Sequence, residues 1–268
     1  MSSIEIVLPG ESLELDPLSS GLAHGYGLFE TMRLRGGRLE LWAAHWRRLF
    51  DSARALGIAC PFDGAEVLRA VRTLAKALPA EATIKLSLLK EGRFSKLLVY
   101  SRPLAPPPEE IGLLMESPAP LNEASPLAGH KTHNYLENLL VLEAARGAGC
   151  FDGLRLNSKG HLAEGAISNI FFHRHGRLHT PGLESGLLPG VIRGALIRSL
   201  AVEQGSYRPA DLVAADAVFL TNASIGWQPV DWLQLEGRKI QLSSRRHPLC
   251  QRARGLLADY IEASSVPL

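Results

Sequence analysis

The chain has 268 residues, 46% of them hydrophobic and 21% charged, a composition that buries a core without staples and excludes a disordered or low-complexity protein. Its formal net charge of +2 is too small to argue for nucleic acid or an anionic membrane surface as a partner. Cys60, Cys150 and Cys250 are scattered, which excludes a disulfide framework or a zinc-ligand spacing, and no apolar run approaches the roughly 20 residues that cross a bilayer. The N-terminus has no basic stretch followed by an apolar one, so the expectation is a cytoplasmic protein.

In chain order, residues 4–8 read as a short strand, and a turn-rich approach leads to Gly25-Tyr26-Gly27. Residues 29–35 alternate as a strand, Gly36-Gly37 signals a two-residue hairpin, and 38–41 return as its partner. Trp42, His45, Leu49, Ala53 and Leu56 recur at three and four, which predicts a helix that Gly57 stops. A second helix follows Asp63, with apolar positions Val67, Leu68, Val71, Leu74 and Leu78. Two strands, 82–89 and 95–100, flank the Glu91-Gly92-Arg93 turn, and 111–116 read as another strand. Residues 117–129 hold three prolines and little periodicity, so they are expected to link an α+β domain over 1–116 to a larger domain over 130–268.

In the larger domain, 135–149 predict a helix rich in alanine and leucine. Residues 151–180 read as a meander with turns at Ser158-Lys159-Gly160 and His175-Gly176. A helix starts at Gly190, a strand over 216–220 runs into Thr221-Asn222-Ala223-Ser224, a hairpin turns at Gly237, and 249–261 form the last helix.

The stretch from Gly129 to Ile192 concentrates the chemistry. Lys131 offers an amine at a helix approach, Glu164 a carboxylate at a strand end, and Gly190-Val191-Ile192 a helix start with backbone N–H groups for an anion. An aromatic aldehyde cofactor with a phosphate and a pyridine ring needs these three: an amine to hold it, an acid to keep its nitrogen protonated, and a phosphate cradle. Asn222-Ala223 could add a second nest of N–H groups, and Arg48 a charge-assisted phosphate contact. His24, His45, His130 and His133 lack a compact ligand spacing, so no metal is expected.

The ordered motifs HGYGLFETMRL (24–34), HWRRL (45–49), KTHNYLE (131–137), LNSKGHLAEGAISNIFF (156–172), LLPGVIR (187–193) and FLTNASIGWQPV (219–230) resemble the class-IV aminotransferase family, the fold-type IV pyridoxal-phosphate enzymes. The resemblance spans nearly the whole chain. It implies an α+β fold of two domains, the larger with a β-barrel-like sheet, with pyridoxal 5'-phosphate in the cleft, and a homodimer acting on a small molecule. It implies Lys131 as the Schiff-base lysine and proton shuttle, Glu164 on the pyridine nitrogen with Asn169 supporting it, and Tyr135 near the phenolic oxygen. It implies Arg48 on the phosphate, with Val191, Ile192, Asn222 and Ala223. Tyr26 and Phe29 are the candidates for substrate contact.

Within the family the compact length and the FLTNAS loop resemble members that split aminodeoxychorismate into 4-aminobenzoate and pyruvate for folate synthesis. The alternative is an aminotransferase for D-amino or branched-chain amino acids. Gly25-Tyr26-Gly27 replaces the usual Gly-Asp-Gly, and residues 91–102 depart from the lyase pattern, so the substrate is the open question.

Overall fold

The computed structural model describes residues 1–268. They form two compact units: Met1–Ala105 with His130–Asn134 and Ile261–Leu268, and Pro106–Gly129 with Tyr135–Tyr260.

The first unit is built on a six-stranded sheet in the order Ser3–Ile6, Phe94–Arg102, Glu81–Glu91, Gly27–Arg35, Arg38–Leu39, Val266–Pro267. The long central pair runs antiparallel from Gly27↔Leu89 to Arg35↔Glu81. Alternation then decides the two faces. Leu28, Met32, Leu34, Ile84, Leu86, Leu88, Leu97 and Val99 are buried in one core with Leu49 and Ala53 of the helix Trp42–Ala55 and with Val67, Val71 and Leu74 of the helix Gly64–Ala75. The second helix starts where Asp63 accepts a 2.7 Å hydrogen bond from the Glu66 N–H, a cap typically contributing about 1 kcal/mol. Gly36 and Gly37 both have positive φ, 54° and 72°, as the tight hairpin turn requires.

The opposite face of that sheet carries Phe29, Thr31, Lys85 and Tyr100, because Thr31 pairs with Lys85 and Lys85 with Tyr100. At the start of Gly27–Arg35 the edge is taken by residues 131–133. The Phe29 N–H donates to the Lys131 carbonyl at 2.9 Å, and the His133 N–H donates to the Gly27 carbonyl at 3.0 Å.

The second unit has two five-stranded sheets. One runs Val202–Gly205, Arg177–Pro181, Asn169–Arg174, Ala217–Asn222, Gly226–Pro229; the other runs Arg238–Gln241, Trp232–Leu235, Gly112–Leu114, Asp152–Leu156, Leu162–Gly165. Both contribute to one core, Leu113, Leu154, Leu162 and Leu233 from one sheet meeting Ile170, Phe172, Val218 and Leu220 from the other. The helix Leu136–Gly147 packs Val141 and Leu142 against Ala166.

Four expectations change. The meander over 151–180 is two hairpins in two different sheets, because the chain turns at Gly165–Ser168 and leaves the first ladder there. Residues 111–116 belong with the second unit: Gly112–Leu114 is a central strand between Trp232–Leu235 and Asp152–Leu156. Residues 117–129 are packed into that unit rather than spanning as a linker, since Leu121 is buried and its N–H donates to the Leu156 carbonyl at 2.8 Å. His130–Asn134, placed in the larger domain by sequence, lies in the first unit because its backbone completes that sheet edge. The C-terminal strand Val266–Pro267 does the same at Arg38–Leu39.

Candidate active site

In the first unit the site is built on the strand Gly27–Arg35 and the helix Trp42–Ala55. Glu30 is fully buried, and the Arg48 guanidinium forks onto it, Nε to Oε1 and Nη2 to Oε2, both at 2.7 Å. His45 Nδ1 meets Glu30 Oε2 at 2.7 Å. Burial opposes ionisation of Glu30, but the Arg48 and His45 contacts outweigh it and hold the carboxyl well below its ordinary value. Burial pushes the His45 imidazole down, and the Arg48 and Lys131 charges push the same way against Glu30.

Lys131 is held by its backbone, through the Phe29 N–H, and its Nζ lies 4.4 Å from the Phe29 ring centroid. A second amine shares that ring. Lys85 Nζ is also 4.4 Å from the Phe29 centroid and donates to Thr31 Oγ1 at 2.8 Å. Burial, followed by the Arg102 charge, lowers the Lys85 ammonium to about 8. The His133 ring is 5.4 Å from Phe29, with its Nε2 buried and without a partner. Phe29 and Lys131 are thus brought together. Tyr26 is engaged elsewhere: its hydroxyl donates to the Leu56 carbonyl at 3.2 Å and Lys90 Nζ sits 4.0 Å over its ring.

In the second unit Glu164 ends the strand Leu162–Gly165. Its Oε2 accepts from the Leu188 N–H at 2.9 Å and faces Asn169 Nδ2 at 3.4 Å; the same amide donates to the Leu188 carbonyl at 2.9 Å. Asn169 therefore ties Glu164 to the segment that enters the helix Val191–Ser199. That helix begins at Gly190 in extended conformation with no side-chain cap, so its first N–H groups are offered to an anion. A Cβ on Gly190 would fall 1.9 Å from Asn169 Oδ1, so only glycine lets the amide lie against the helix start. Tyr135 Oη donates to the Ala166 carbonyl at 3.1 Å. Asn222 Nδ2 donates to the Ile167 carbonyl at 3.0 Å, and its Oδ1 accepts from the Ser224 and Ile225 N–H groups, both at 2.9 Å, which shapes the loop holding Ala223.

Sequence reasoning missed Glu30, Lys85, Thr221 and Asp152. Glu30 lies inside the motif quoted for the first strand, and its i, i+15 and i, i+18 partners were not visible as a cluster. Lys85 had one signal, a lysine breaking an apolar strand. Nothing in the spacing pointed to Asp152. No group of three or more His, Cys, Asp or Glu side chains is arranged to hold a metal ion.

The model of the amino-transferase class IV family matches residues 27–232, and the chain belongs to that family. It is 30% identical over 241 residues, 82% of each chain, to a Methanocaldococcus jannaschii protein provisionally named a branched-chain-amino-acid aminotransferase. It is 28% identical over 229 residues, 78% of each chain, to the aminodeoxychorismate lyase of Bacillus subtilis. A solved structure from Legionella pneumophila, provisionally assigned as a 4-amino-4-deoxychorismate lyase, superposes with a TM-score of 0.86 at 26% identity, over 96% of this chain and 99% of that one. The architecture is that of the fold-type IV pyridoxal-phosphate enzymes, and the protein is a pyridoxal-phosphate enzyme of the lyase or aminotransferase kind.

The residues fit that cofactor. The helix at Gly190 presents an uncapped start suited to a phosphate. Thr221 pairs with Asn169 across the sheet, so both side chains share a face, and Thr221 Oγ1 is buried without a hydrogen-bond partner. An orphaned hydroxyl beside Asn222 is a polar group waiting for a ligand atom.

Proposed function

We propose that the protein is an aminodeoxychorismate lyase that releases 4-aminobenzoate and pyruvate, a step of folate synthesis, acting as a cytoplasmic homodimer. The observation that carries this reading is the pair of amines on Phe29. Lys131 shares its ring with Lys85, a second, largely buried cation. Aminodeoxychorismate carries a ring carboxylate and an enolpyruvyl carboxylate, and a buried cation is matched by an anion. A branched-chain amino acid carries one carboxylate and an apolar side chain, so a second cation beside Lys131 suits the two carboxylates of aminodeoxychorismate better. The 30% identical relative named for branched-chain amino acids favours the second reading, an aminotransferase.

Pyridoxal phosphate, when bound, supplies the electron sink for the reaction. Lys131 would hold it through Nζ, and the same Nζ would take the proton from the amine-bearing carbon of the substrate. Glu164, kept in place by the Leu188 N–H and Asn169, would hold a proton at the pyridine nitrogen. Arg48, Val191, Ile192, Asn222 and Ala223 would bind the phosphate, and Tyr135, docked on Ala166, would serve the phenolic oxygen. In the lyase the C–O bond to the enolpyruvyl group would break, that group would leave with the proton from Lys131 Nζ as the enol of pyruvate, and the substrate ring would aromatise. In an aminotransferase Lys131 Nζ would move the same proton, the amino group would pass to the cofactor, and water would release the keto acid.

The assay follows 4-aminobenzoate and pyruvate from aminodeoxychorismate without added keto acid. Turnover under those conditions supports the lyase, and an absolute need for a keto acid acceptor overturns it. Borohydride reduction of the yellow holoenzyme should leave the cofactor on Lys131, and Lys131→Ala should lose turnover; a label on another lysine would reject the assignment. Sedimentation should report about twice the 29.1 kDa chain mass.

A further inference from the structure

We propose that Asp152 is the positioning residue of the cofactor half-site in the second unit, holding the Gly165–Ser168 turn on which Glu164, Asn169, Tyr135 and Asn222 all depend. This rests on the reading of Glu164 as the cofactor's carboxylate.

Asp152 opens the strand Asp152–Leu156 and is wholly buried. Its Oδ1 accepts from its neighbour's N–H, Gly153, at 2.8 Å, and its Oδ2 accepts from Ser168 Oγ at 2.5 Å and, more weakly, from the Ile167 N–H at 3.4 Å. The turn is closed on itself by the Gly165 N–H to the Ser168 carbonyl at 2.7 Å, and it is sewn to the strand by the Ala166 N–H to the Gly153 carbonyl at 2.8 Å. The packing leaves no room for drift. A Cβ on Gly165 would lie 2.4 Å from Asp152 Oδ2 and 2.5 Å from Ser168 Oγ.

What the turn presents outward is a set of acceptors and two flanking side chains. The Ala166 carbonyl receives Tyr135 Oη at 3.1 Å and Asn138 Nδ2 at 2.7 Å, and the Ile167 carbonyl receives Asn222 Nδ2 at 3.0 Å. Glu164 immediately precedes the turn and Asn169 immediately follows it. One carboxylate therefore sets the height of the pyridine-nitrogen partner, the tyrosine and the phosphate-side loop together. Asp152 does this at a cost. Burial raises its pKa to about 6 against the hydrogen bonds from Ser168, Gly153, Ile167 and Ala166, and no charged side chain offsets the burial. A charge kept where it does not favour stability points to a role in placement.

The test uses the full-length protein, with Asp152→Asn, Ser168→Ala and Ser168→Thr beside the wild type. Apo-protein is titrated with pyridoxal phosphate, the visible circular dichroism of the holoenzyme is recorded, and the melting temperature of the apo form is measured. In Asp152→Asn the amide cannot accept from both Ile167 and Gly153 as the carboxylate does. The cofactor Kd should rise about tenfold or more, the effect of one buried donor losing its acceptor, and the dichroism should change. The apo melting temperature should hold or rise, because the buried charge is gone. Ser168→Ala, which keeps the carboxylate, should move Kd and dichroism the same way, and Ser168→Thr should restore them to within about twofold of the wild type. Variants whose Kd and dichroism match the wild type, or which lose melting temperature with Kd unchanged, would overturn the positioning role. A wild-type protein that fails to take up pyridoxal phosphate overturns the underlying reading of Glu164, and this one with it.

Discussion

At the residue scale, charges inside the first unit are placed where their partners decide their worth. Glu30 is unexposed and Arg48 forks onto it, so Arg48→Ala leaves a buried carboxylate with only His45. Removing one partner of a buried pair costs about 3–5 kcal/mol, and chemical denaturation of the apo-protein should show a loss of that order. A loss under about 1 kcal/mol would mean that the pair behaves as an exposed one. Lys85 has the opposite sign. Its folded pKa, about 8, lies below its ordinary 10.5. Between those values the unfolded chain binds more protons than the folded one, so Lys85 makes stability rise with pH from about 8 to 10.5. Below about 8 its penalty is present in full. Lys85→Met should remove that rise and, on the lyase reading, raise KM for aminodeoxychorismate. A stability profile identical in slope to the wild type over that window would count against the burial of Lys85.

At the element scale, the helix Val191–Ser199 is matched to Glu164 by a single atom's absence at Gly190. Gly190→Ala suits the backbone, whose φ is −60°, but its Cβ lands on Asn169 Oδ1. The amide must turn away, and both its bonds, to Leu188 and Glu164, are lost. Cofactor affinity should fall about tenfold, a cost of one to two buried hydrogen bonds. In an Asn169→Ala background the same substitution should have little further effect, since the atom it meets is gone. Additive losses in the double variant would show that the collision is not the cause. The motif LLPGVIR makes the helix start legible in sequence, but Gly190 reads there as an ordinary turn glycine. Its contact with Asn169 spans 21 residues and two strands.

At the scale of the whole molecule, the chain leaves the first unit after Ala105, re-enters it for His130–Asn134, and returns at Ile261. A cut at the proline-rich stretch therefore does not separate two folding units. A fragment of residues 1–116 would lack the edge segment 130–134, the last strand Val266–Pro267 and the Arg38–Ser265 and Arg72–Pro267 hydrogen bonds. Its central edge at Gly27–Phe29 would present unpaired N–H and C=O groups. The expected outcome is an aggregating or poorly protected fragment, read by size-exclusion chromatography and amide hydrogen exchange. A monomeric fragment with native-like protection in Gly27–Arg35 would contradict it.

Local pattern sufficed for much of this protein. The hairpin at Gly36-Gly37, the helices Trp42–Ala55 and Gly64–Ala75 and the strand pair around Gly92 follow from period and turn chemistry, which act over a few residues. The motif order placed Lys131, Glu164 and Gly190 in one family, whose membership rests on most of the chain. Tertiary structure decided the rest, because it depends on pairings that no local signal carries. It split the expected meander between two sheets and moved residues 111–116 into the second unit. It set Lys85 beside Lys131 on one ring, and it committed Arg48 to Glu30. It also put the buried carboxylate of Asp152 under the turn that carries Glu164. Side chains become neighbours through register and burial, and those are properties of the closed sheet, not of the sequence window around any one of them.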